Sequence, residues 1–291
     1  MSDRHRIGVA LVLPQPVRTE VDGVRRAFGL VGRGRMPPHI TLAGPVNVRG
    51  DQLDEVLDRL RDLAAQTRPL QLQFGPTATF GPESDIGFLT VSGPDLDELQ
   101  VLRRRVHVEP LVRDDRPFVP HVTVTERRVE AVLAATADWS FDARFASVSV
   151  FEELVIDTGR RWVLLDEFGF AAPAVIGRGG LELTLHSHRR GELLRIDALR
   201  SKRAVGRASL WLPTSGDSAR LLALGVDEAV RREGIGRHLV ERAVDEARQL
   251  GARVIVAEAH GFLRELGWSG EGTEISRVLR TAELDRSDST R

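Results

Sequence analysis

The chain of 291 residues contains neither cysteine nor tyrosine. Without cysteine it has no disulfide, no thiolate ligand for zinc or iron–sulfur clusters, and no cysteine nucleophile. Without tyrosine, no reaction step here uses a phenol as acid, base or nucleophile. Lys202 is the only lysine, so lysine Schiff-base chemistry is excluded from almost the whole chain.

Neither sign of charge is in excess, because 41 Lys and Arg residues balance 42 Asp and Glu residues to a net charge of −1. A broad nucleic-acid surface usually needs a basic excess, so any contact with phosphate must be local. No apolar run approaches the ~20 residues of a membrane helix. The apolar stretch Ile7–Leu13 is too short for an export signal with its cleavage site. We therefore expect a cytoplasmic protein with no membrane partner.

The length suits two domains, and one segment is typical of the boundary between them. Residues Ala171–Gly180 read AAPAVIGRGG and are rich in Ala, Gly and Pro, which favours a linker. We expect a first domain over 1–170 and a second over 181–284. The polar end, 285–291, is expected to be disordered.

Hydrophobic periodicity predicts two related halves within the first domain. The order is roughly β-α-β-α-β, followed by β-α-β-α-β-β. Asp51–Gln66 has apolar residues at helical spacing and predicts an amphipathic helix. A single strand is predicted over Phe145–Ile156, paired with another over Arg161–Phe168.

Each half carries the same short pattern directly after a proline. The segments are His39–Leu42 (HITL) and His121–Val124 (HVTV). Side chains alternate between the two faces of a strand, so His39 and Thr41 share one face while the aliphatic residues between them point into a core. The same holds for His121 and Thr123. Each strand thus presents an imidazole and a hydroxyl side by side.

Two such strands facing one cleft suit cleavage of a phosphodiester. One neutral imidazole takes a proton from the attacking oxygen, and one protonated imidazole gives a proton to the leaving oxygen. Thr41 and Thr123 would donate to the non-bridging oxygens, where transition-state charge accumulates. Arg35 and Arg116, just before each motif, are candidates for further phosphate contacts. No metal ion is required.

With PPHITL and PHVTV in place, the first ~170 residues resemble the 2H phosphoesterase family, the LigT-like group of 2′-5′ RNA ligases and cyclic phosphodiesterases. The opening strand IGVALVLP and the closing segments around FASVSVFEELVI and RWVLLDEFGF add to the resemblance. It implies two lobes of antiparallel sheet with flanking helices, catalysis by His39 and His121, and substrate contacts from Thr41 and Thr123. The substrate class would be RNA ends or a cyclic nucleotide.

A second constellation lies between a predicted strand and a predicted helix. Residues Arg231–Gly236 read RREGIG. Glycines permit a tight turn, and a helix N-terminus offers free N–H groups to an anion. With the later segment Phe262–Trp268, this half resembles the GNAT acyltransferase family. The resemblance implies acetyl-CoA as cofactor, with its pantetheine between strands Leu221–Val226 and Arg253–Ala257. The cofactor-binding residues would be Val226, Val230, Arg231, Arg232, Gly234, Ile235 and Gly236.

The second half of the chain differs from that family at one position that bears on catalysis. Leu263 stands where the family often has a tyrosine that protonates the departing thiolate. The candidate bases for an acceptor amine are Glu258, His260, Asp227 and Glu228.

The fold class expected is α+β: a two-lobed 2H phosphoesterase-like antiparallel-sheet domain, then a short GNAT-like mixed-sheet α/β domain. The function expected is a metal-independent phosphodiesterase fused to an acetyl-CoA-binding N-acetyltransferase domain. Two alternatives stay open. In one, acyl transfer is the main activity and the first domain only binds a nucleotide or RNA. In the other, the chain is a non-enzymatic RNA-binding protein. The sequence leaves the oligomeric state open.

Overall fold

The computed structural model describes residues 4–30, 36–112, 117–156, 159–171, 182–201, 203–213 and 217–279, with the backbone of 175–176. The chain divides into two compact units, Met1–Phe170 and Ala171–Arg291. The predicted tail and most of the predicted linker lie outside the described residues. No helix in the described ranges is long and apolar enough to span a membrane.

The first unit consists of helices packed on two antiparallel sheets. Its helices are α1 (Val17–Ala27), α2 (Gly50–Ala65), α3 (Leu96–Val106) and α4 (Val129–Ala135). Its strands are β1 (Arg4–Val12), β2 (His39–Arg49), β3 (Leu70–Thr79), β4 (Gly87–Ser92), β5 (His121–Thr125), β6 (Phe141–Phe145), β7 (Ser147–Ile156) and β8 (Gly159–Gly169). One sheet has the order β2-β1-β7-β8 and the other β5-β4-β3-β6, and all these pairs are antiparallel.

The strand β2 runs past Gly44-Pro45, and it can do so because it lies at the edge of its sheet, where proline is tolerated. Ile7 pairs with Val46 and Val9 pairs with Ala43, so two residues of β2 lie opposite Gly8. This is a β-bulge, which places a residue without a ladder hydrogen bond inside a strand. The bulge lets β2 continue to Arg49 beyond the turn-like dipeptide.

The predicted strand over Phe145–Ile156 is present as β7, paired with β8 as expected, but it starts at Ser147, and Phe145 belongs to the preceding strand β6. A break at Ala146 separates β6 from β7, and these strands belong to different sheets: β6 pairs with β3, while β7 pairs with β1 and β8. The alternation of apolar and polar residues shifts at this break, because Phe145 and Ala146 are both apolar, and this shift accompanies the change of sheet.

Helix α2 shows how the core forms. Its Val56, Leu57, Leu60 and Leu63 recur at helical spacing and are at most 5% exposed. They pack against β1, β2, β7 and β8 in a cluster with Ile40 and Leu42 of β2. Burial of this apolar stripe stabilises the helix and anchors the strand that begins with His39.

The second unit is a mixed sheet with a long helix. Its strands are β9 (Val175–Ile176), β10 (Glu182–Arg190), β11 (Leu193–Arg200), β12 (Arg203–Trp211), β13 (Ser218–Val226), β14 (Val254–Glu258) and β15 (Glu274–Val278). Its helices are α5 (Ile235–Gln249) and α6 (Gly261–Glu265). Neighbouring strands from β10 to β15 follow chain order, and only β13 and β14 are parallel. The buried side of α5 packs on β11, β12 and β13. The predicted fold class is thus confirmed for both units.

Candidate functional site

The two predicted histidines each open a strand, one in each sheet of the first unit. His39 is the first residue of β2 and His121 the first residue of β5, and these two strands contact each other. Both rings are partly exposed, whereas the aliphatic residues beside them are buried. The alternation predicted from the sequence is therefore present: the aliphatic residues of both motifs point into the core, and the histidines lie on the other strand face.

Each imidazole makes a hydrogen bond of the same kind, to a backbone carbonyl two residues earlier in the chain. The His39 Nδ1 lies 2.6 Å from the Pro37 carbonyl oxygen, and the His121 Nδ1 lies 2.7 Å from the Val119 carbonyl oxygen. A carbonyl oxygen only accepts, so Nδ1 carries the hydrogen in each ring. In the neutral form, Nε2 is then left with its lone pair, and it is the atom available for proton transfer on both rings.

The environment of His39 favours its neutral form. Burial lowers the pKa of His39 to about 4, although the hydrogen bond to Pro37 raises it, and the charges of Arg25 and His121 lower it further. The effect of His121 agrees with the contact between β2 and β5, the two strands that carry these rings. An uncharged His39 at neutral pH is equipped to accept a proton.

Arg25 is a site residue that sequence reasoning missed. Its side chain is only 7% exposed, and its Nη1 donates to the Met36 carbonyl oxygen at 3.3 Å and lies 3.6 Å from the Asp22 carboxylate. A signal was available, because Arg25 follows the buried Val21 by four residues and so shares the inward face of α1. An arginine at such a position usually has a partner inside.

The two threonines of the motifs are both partly exposed. Within the described part of the chain, neither the Thr41 nor the Thr123 hydroxyl makes a hydrogen bond. Both groups are thus available to donate to a ligand. Arg35 and Arg116, the other predicted substrate contacts, lie outside the described residues.

The second unit contains a cavity of about 960 Å³ around the RREGIG segment. It is lined by the ends of β13 and β14, by residues 231–238 and by α6. The two parallel strands pair only from Ser218 and Val254 to Leu221 and Ala257, although β13 continues to Val226. The backbone of 222–226 therefore has no β14 partner on the cavity side, which leaves polar groups of 222–225 for a ligand, while the Val226 carbonyl accepts from the Arg231 Nε at 3.3 Å.

The loop before α5 has the backbone conformation of an anion-binding turn. Arg232 and Gly234 have φ values of 69° and 93°. Such alternation points successive N–H groups toward one place, and the α5 N-terminus adds its positive dipole. In the described structure no protein acceptor meets the N–H groups from Arg232 to Arg237. At Gly236, a Cβ would come within 3.2 Å of the Phe262 ring, so a larger residue would displace this ring.

Six of the seven predicted cofactor residues line this cavity: Val226, Arg231, Arg232, Gly234, Ile235 and Gly236. Val230 is 7% exposed and packs in the core instead. The amides of Val230 and Arg231 already donate to the carbonyls of Asp227 and Glu228, at 3.1 and 3.3 Å. The backbone amides that are available to bind phosphates therefore begin at Arg232 and not at Val230.

Of the four candidate bases, Glu258 and His260 line the cavity together with Leu263. Asp227 and Glu228 do not line it and make ion pairs with Arg203 and Arg231, at 3.8 and 3.1 Å. The His260 Nδ1 accepts a hydrogen bond from the Phe262 amide at 3.2 Å, so its neutral ring carries the hydrogen on Nε2. No group of three His, Asp or Glu side chains suited to a metal ion occurs among the described residues.

The profile of the 2′-5′ RNA ligase superfamily matches residues 13–159, half of the chain, and both histidine motifs lie within the match. The chain belongs to the 2′-5′ RNA ligase superfamily. The profile of the acetyltransferase (GNAT) family matches residues 161–268, which include the RREGIG loop. Both resemblances predicted from the sequence are thereby confirmed.

Curated relatives of this superfamily member match its first unit. A Bacillus cytotoxicus protein, provisionally named a phosphoesterase, is 26% identical over 127 residues, which are 43% of this chain and 72% of that protein. A Bacillus anthracis protein with the same provisional name is 25% identical over 120 residues, or 41% of this chain and 68% of its own. These names support an enzymatic role in broad terms.

Solved structures resemble the two units separately. Escherichia coli LigT in complex with 3′-AMP is 20% identical, with 58% of this chain and 99% of that chain covered and a TM-score of 0.44. The ribosomal-protein-S18-alanine N-acetyltransferase of Escherichia coli is 17% identical, with 32% and 74% covered and a TM-score of 0.30.

Proposed function

We propose that the first unit is a metal-independent phosphodiesterase that acts on a 2′,3′-cyclic phosphate or on an RNA end. The observation that carries this proposal is the matched pair of imidazoles, both fixed at Nδ1 by a backbone carbonyl and carried by two strands that contact each other. General acid–base catalysis of phosphodiester cleavage needs two such groups and no bound metal.

His39 is the base in the cleavage direction. Its low pKa leaves Nε2 unprotonated at neutral pH, so this atom takes a proton from the attacking water as the oxygen bonds to phosphorus. His121 gives the proton on its Nε2 to the ring oxygen that leaves the phosphorus. A bound phosphate is an anion, and an anion favours the protonated form of an imidazole beside it.

Thr41 and Thr123 act on the oxygens that do not react. Each hydroxyl is on the same strand face as a catalytic imidazole, two residues along. The hydroxyls donate to the non-bridging oxygens, where negative charge grows in the transition state. The buried guanidinium of Arg25 adds positive charge on the His39 side of the site.

Hydrolysis of a nucleoside 2′,3′-cyclic phosphate in the presence of EDTA tests this function. Wild type should turn over, and His39→Ala and His121→Ala should not. His5→Ala is the matched control, because His5 bonds to Glu152 at the opposite end of the β1–β2 ladder from His39. Dependence on added metal, or full activity in both site variants, contradicts the mechanism. A folded protein with no turnover would favour the binding-module alternatives.

For the second unit we propose acetyl-CoA binding and N-acetyl transfer. The cavity fits the cofactor in three respects: unpaired backbone along β13, free amides from Arg232 to Arg237, and volume for an acylated pantetheine. When bound, acetyl-CoA supplies the acetyl group as a thioester. The first proposed activity uses RNA ends or nucleotides as substrate, and the second uses acetyl-CoA. Both fit a cytoplasmic location.

Glu258 is the better base of the two residues that line the cavity. The His260 Nδ1 lone pair is used by the Phe262 amide, so the Nε2 of the neutral ring donates and does not accept. Glu258 therefore takes the proton from an acceptor amine, while His260 offers a hydrogen bond. Calorimetric titration with acetyl-CoA tests binding, and the absence of any binding heat would remove the acetyltransferase proposal.

A further inference from the structure

Phe80 exposes an aromatic ring beside one of the two catalytic imidazoles. The residue follows directly after β3 and is 48% exposed. Its ring centroid lies 5.0 Å from that of His121, with the two planes at 89°. A single exposed apolar side chain needs no explanation by itself. Phe80 differs from other exposed apolar residues because its ring contacts His121, an imidazole that would touch the substrate.

A second phenylalanine holds the exposed ring in place. Phe88 of β4 is only 6% exposed, and its ring centroid lies 4.3 Å from that of Phe80 and 5.3 Å from that of His121. The three rings thus form one cluster, in which Phe88 is the buried base and Phe80 the exposed member. Such contacts fix the orientation of an aromatic ring.

The loop that follows Phe80 is also tied down. The Thr79 hydroxyl lies within hydrogen-bond distance of the Gly81 and Ser84 carbonyl oxygens, at 3.0 and 3.4 Å. The Ser84 hydroxyl accepts from the Ile86 amide at 3.2 Å. A ring on a restrained loop loses little conformational freedom when a ligand stacks on it.

We propose that Phe80 stacks against the planar base of a phosphodiester substrate whose phosphate lies between His39 and His121. The inference rests on the proposed phosphodiesterase function and names the substrate class as base-bearing. In a nucleotide, the base is one sugar away from the phosphate, so a ring in contact with His121 is suitably close. Stacking of a base on an aromatic side chain is tolerant of base identity and typically changes affinity by about 5- to 100-fold.

Two substrates separate stacking from catalysis. One is adenosine 2′,3′-cyclic phosphate, and the other is glycerol 1,2-cyclic phosphate, which has the strained ring and no base. In Phe80→Leu, KM should rise about 5- to 100-fold for the adenosine substrate and stay unchanged for the glycerol substrate. Phe80→Trp should restore the adenosine KM, because its ring also stacks.

Ile86 supplies the matched control, since it belongs to the same loop and is 37% exposed but carries no ring. Ile86→Ala should leave both KM values unchanged. An equal loss on both substrates in Phe80→Leu would mean that Phe80 only supports His121. No change on either substrate would mean that no base stacks there. Either result overturns the inference.

A binding measurement keeps this inference separate from the proposed function. Adenosine 3′-phosphate and inorganic phosphate are titrated into wild type and Phe80→Leu. If wild type hydrolyses neither cyclic substrate, the proposed activity fails. The stacking site still stands if Phe80→Leu weakens adenosine 3′-phosphate at least fivefold and leaves phosphate unaffected. Equal affinities in both proteins contradict it.

Discussion

The two units build their candidate sites from different parts of the chain. In the first unit, the groups available for chemistry are side chains: two imidazoles and two hydroxyls on the first residues of two strands. In the second, the phosphate-binding groups are backbone amides in a loop with two left-handed residues, Arg232 and Gly234. Side-chain deletion should therefore disable the first site, whereas the second should respond most to changes in backbone conformation.

The largest expected effect is the loss of either imidazole. Removal of His39 or His121 takes away one partner in proton transfer, and His39→Ala and His121→Ala should each lower kcat about 10²- to 10⁴-fold on a cyclic phosphate. The affinity of both variants for acetyl-CoA should equal that of wild type. A parallel loss of acetyl-CoA affinity would contradict the separation of the two sites.

Removal of one hydroxyl should have a smaller effect. Thr41→Val and Thr123→Val keep the β-branched shape but delete the donor, and each should lower kcat about 10²-fold. Thr90→Val is the control, because the Thr90 hydroxyl already donates to the Pro76 carbonyl. Steady-state kinetics decide the matter: a change confined to KM would mean that the hydroxyls do not act in the transition state.

The second site is tested by a change in backbone preference. Gly234→Val forces a β-branched residue into φ 93°, which it strongly disfavours, and should weaken acetyl-CoA about tenfold or more while sparing phosphodiester cleavage. Gly272→Val imposes similar strain at φ 74°, where a Cβ meets no atom within 4 Å. Equal losses of calorimetric affinity in the two variants would assign the effect to general destabilisation.

The smallest expected effect concerns pH. His39 must be neutral to act as a base, so on the acidic side of the profile kcat/KM of wild type should stay high until pH drops toward about 4. Arg25→Gln removes a cation that opposes protonation of His39. The pKa of His39 then rises, and the acidic limb should move to higher pH by a fraction of a unit.

Arg26 is a close control for that experiment. It is the next residue of α1 and also pairs with Asp22, at 3.2 Å, but its side chain is 71% exposed. Arg26→Gln should leave the pH profile in place. A shift of the same size in both variants would indicate a general effect of net charge, and no shift in Arg25→Gln would show that this cation does not act on His39.

The sequence predicted the candidate site best where the positions of the functional side chains follow from strand alternation. The faces of His39 and Thr41 could be predicted because Ile40 and Leu42 needed a core. The change of sheet at Ala146 was not predicted, although two successive apolar residues, Phe145 and Ala146, shift the alternation there. Phe80 escaped notice for another reason: its position beside His121 depends on the pairing of β4 with β5, which joins distant segments.

The second unit shows a similar limit. RREGIG predicted the loop, and six of its proposed cofactor residues do line the cavity. The sequence did not reveal that the Val230 amide is used within its own turn, because backbone hydrogen bonding leaves no mark on residue type. Nor did it separate Glu258 and His260 from Asp227 and Glu228, whose arginine partners come from other parts of the loop and sheet.

The restraint on each imidazole has a genetic consequence. The atoms that hold the two rings belong to the main chain at Pro37 and Val119, so exchanging the side chains at those positions leaves the oxygens in place. In a saturation mutagenesis scan, substitutions of the two histidines should lower activity strongly, whereas substitutions of Pro37 and Val119 should have almost no effect. The orientation of these rings is thus shielded from most point mutations, since every amino acid brings the same carbonyl.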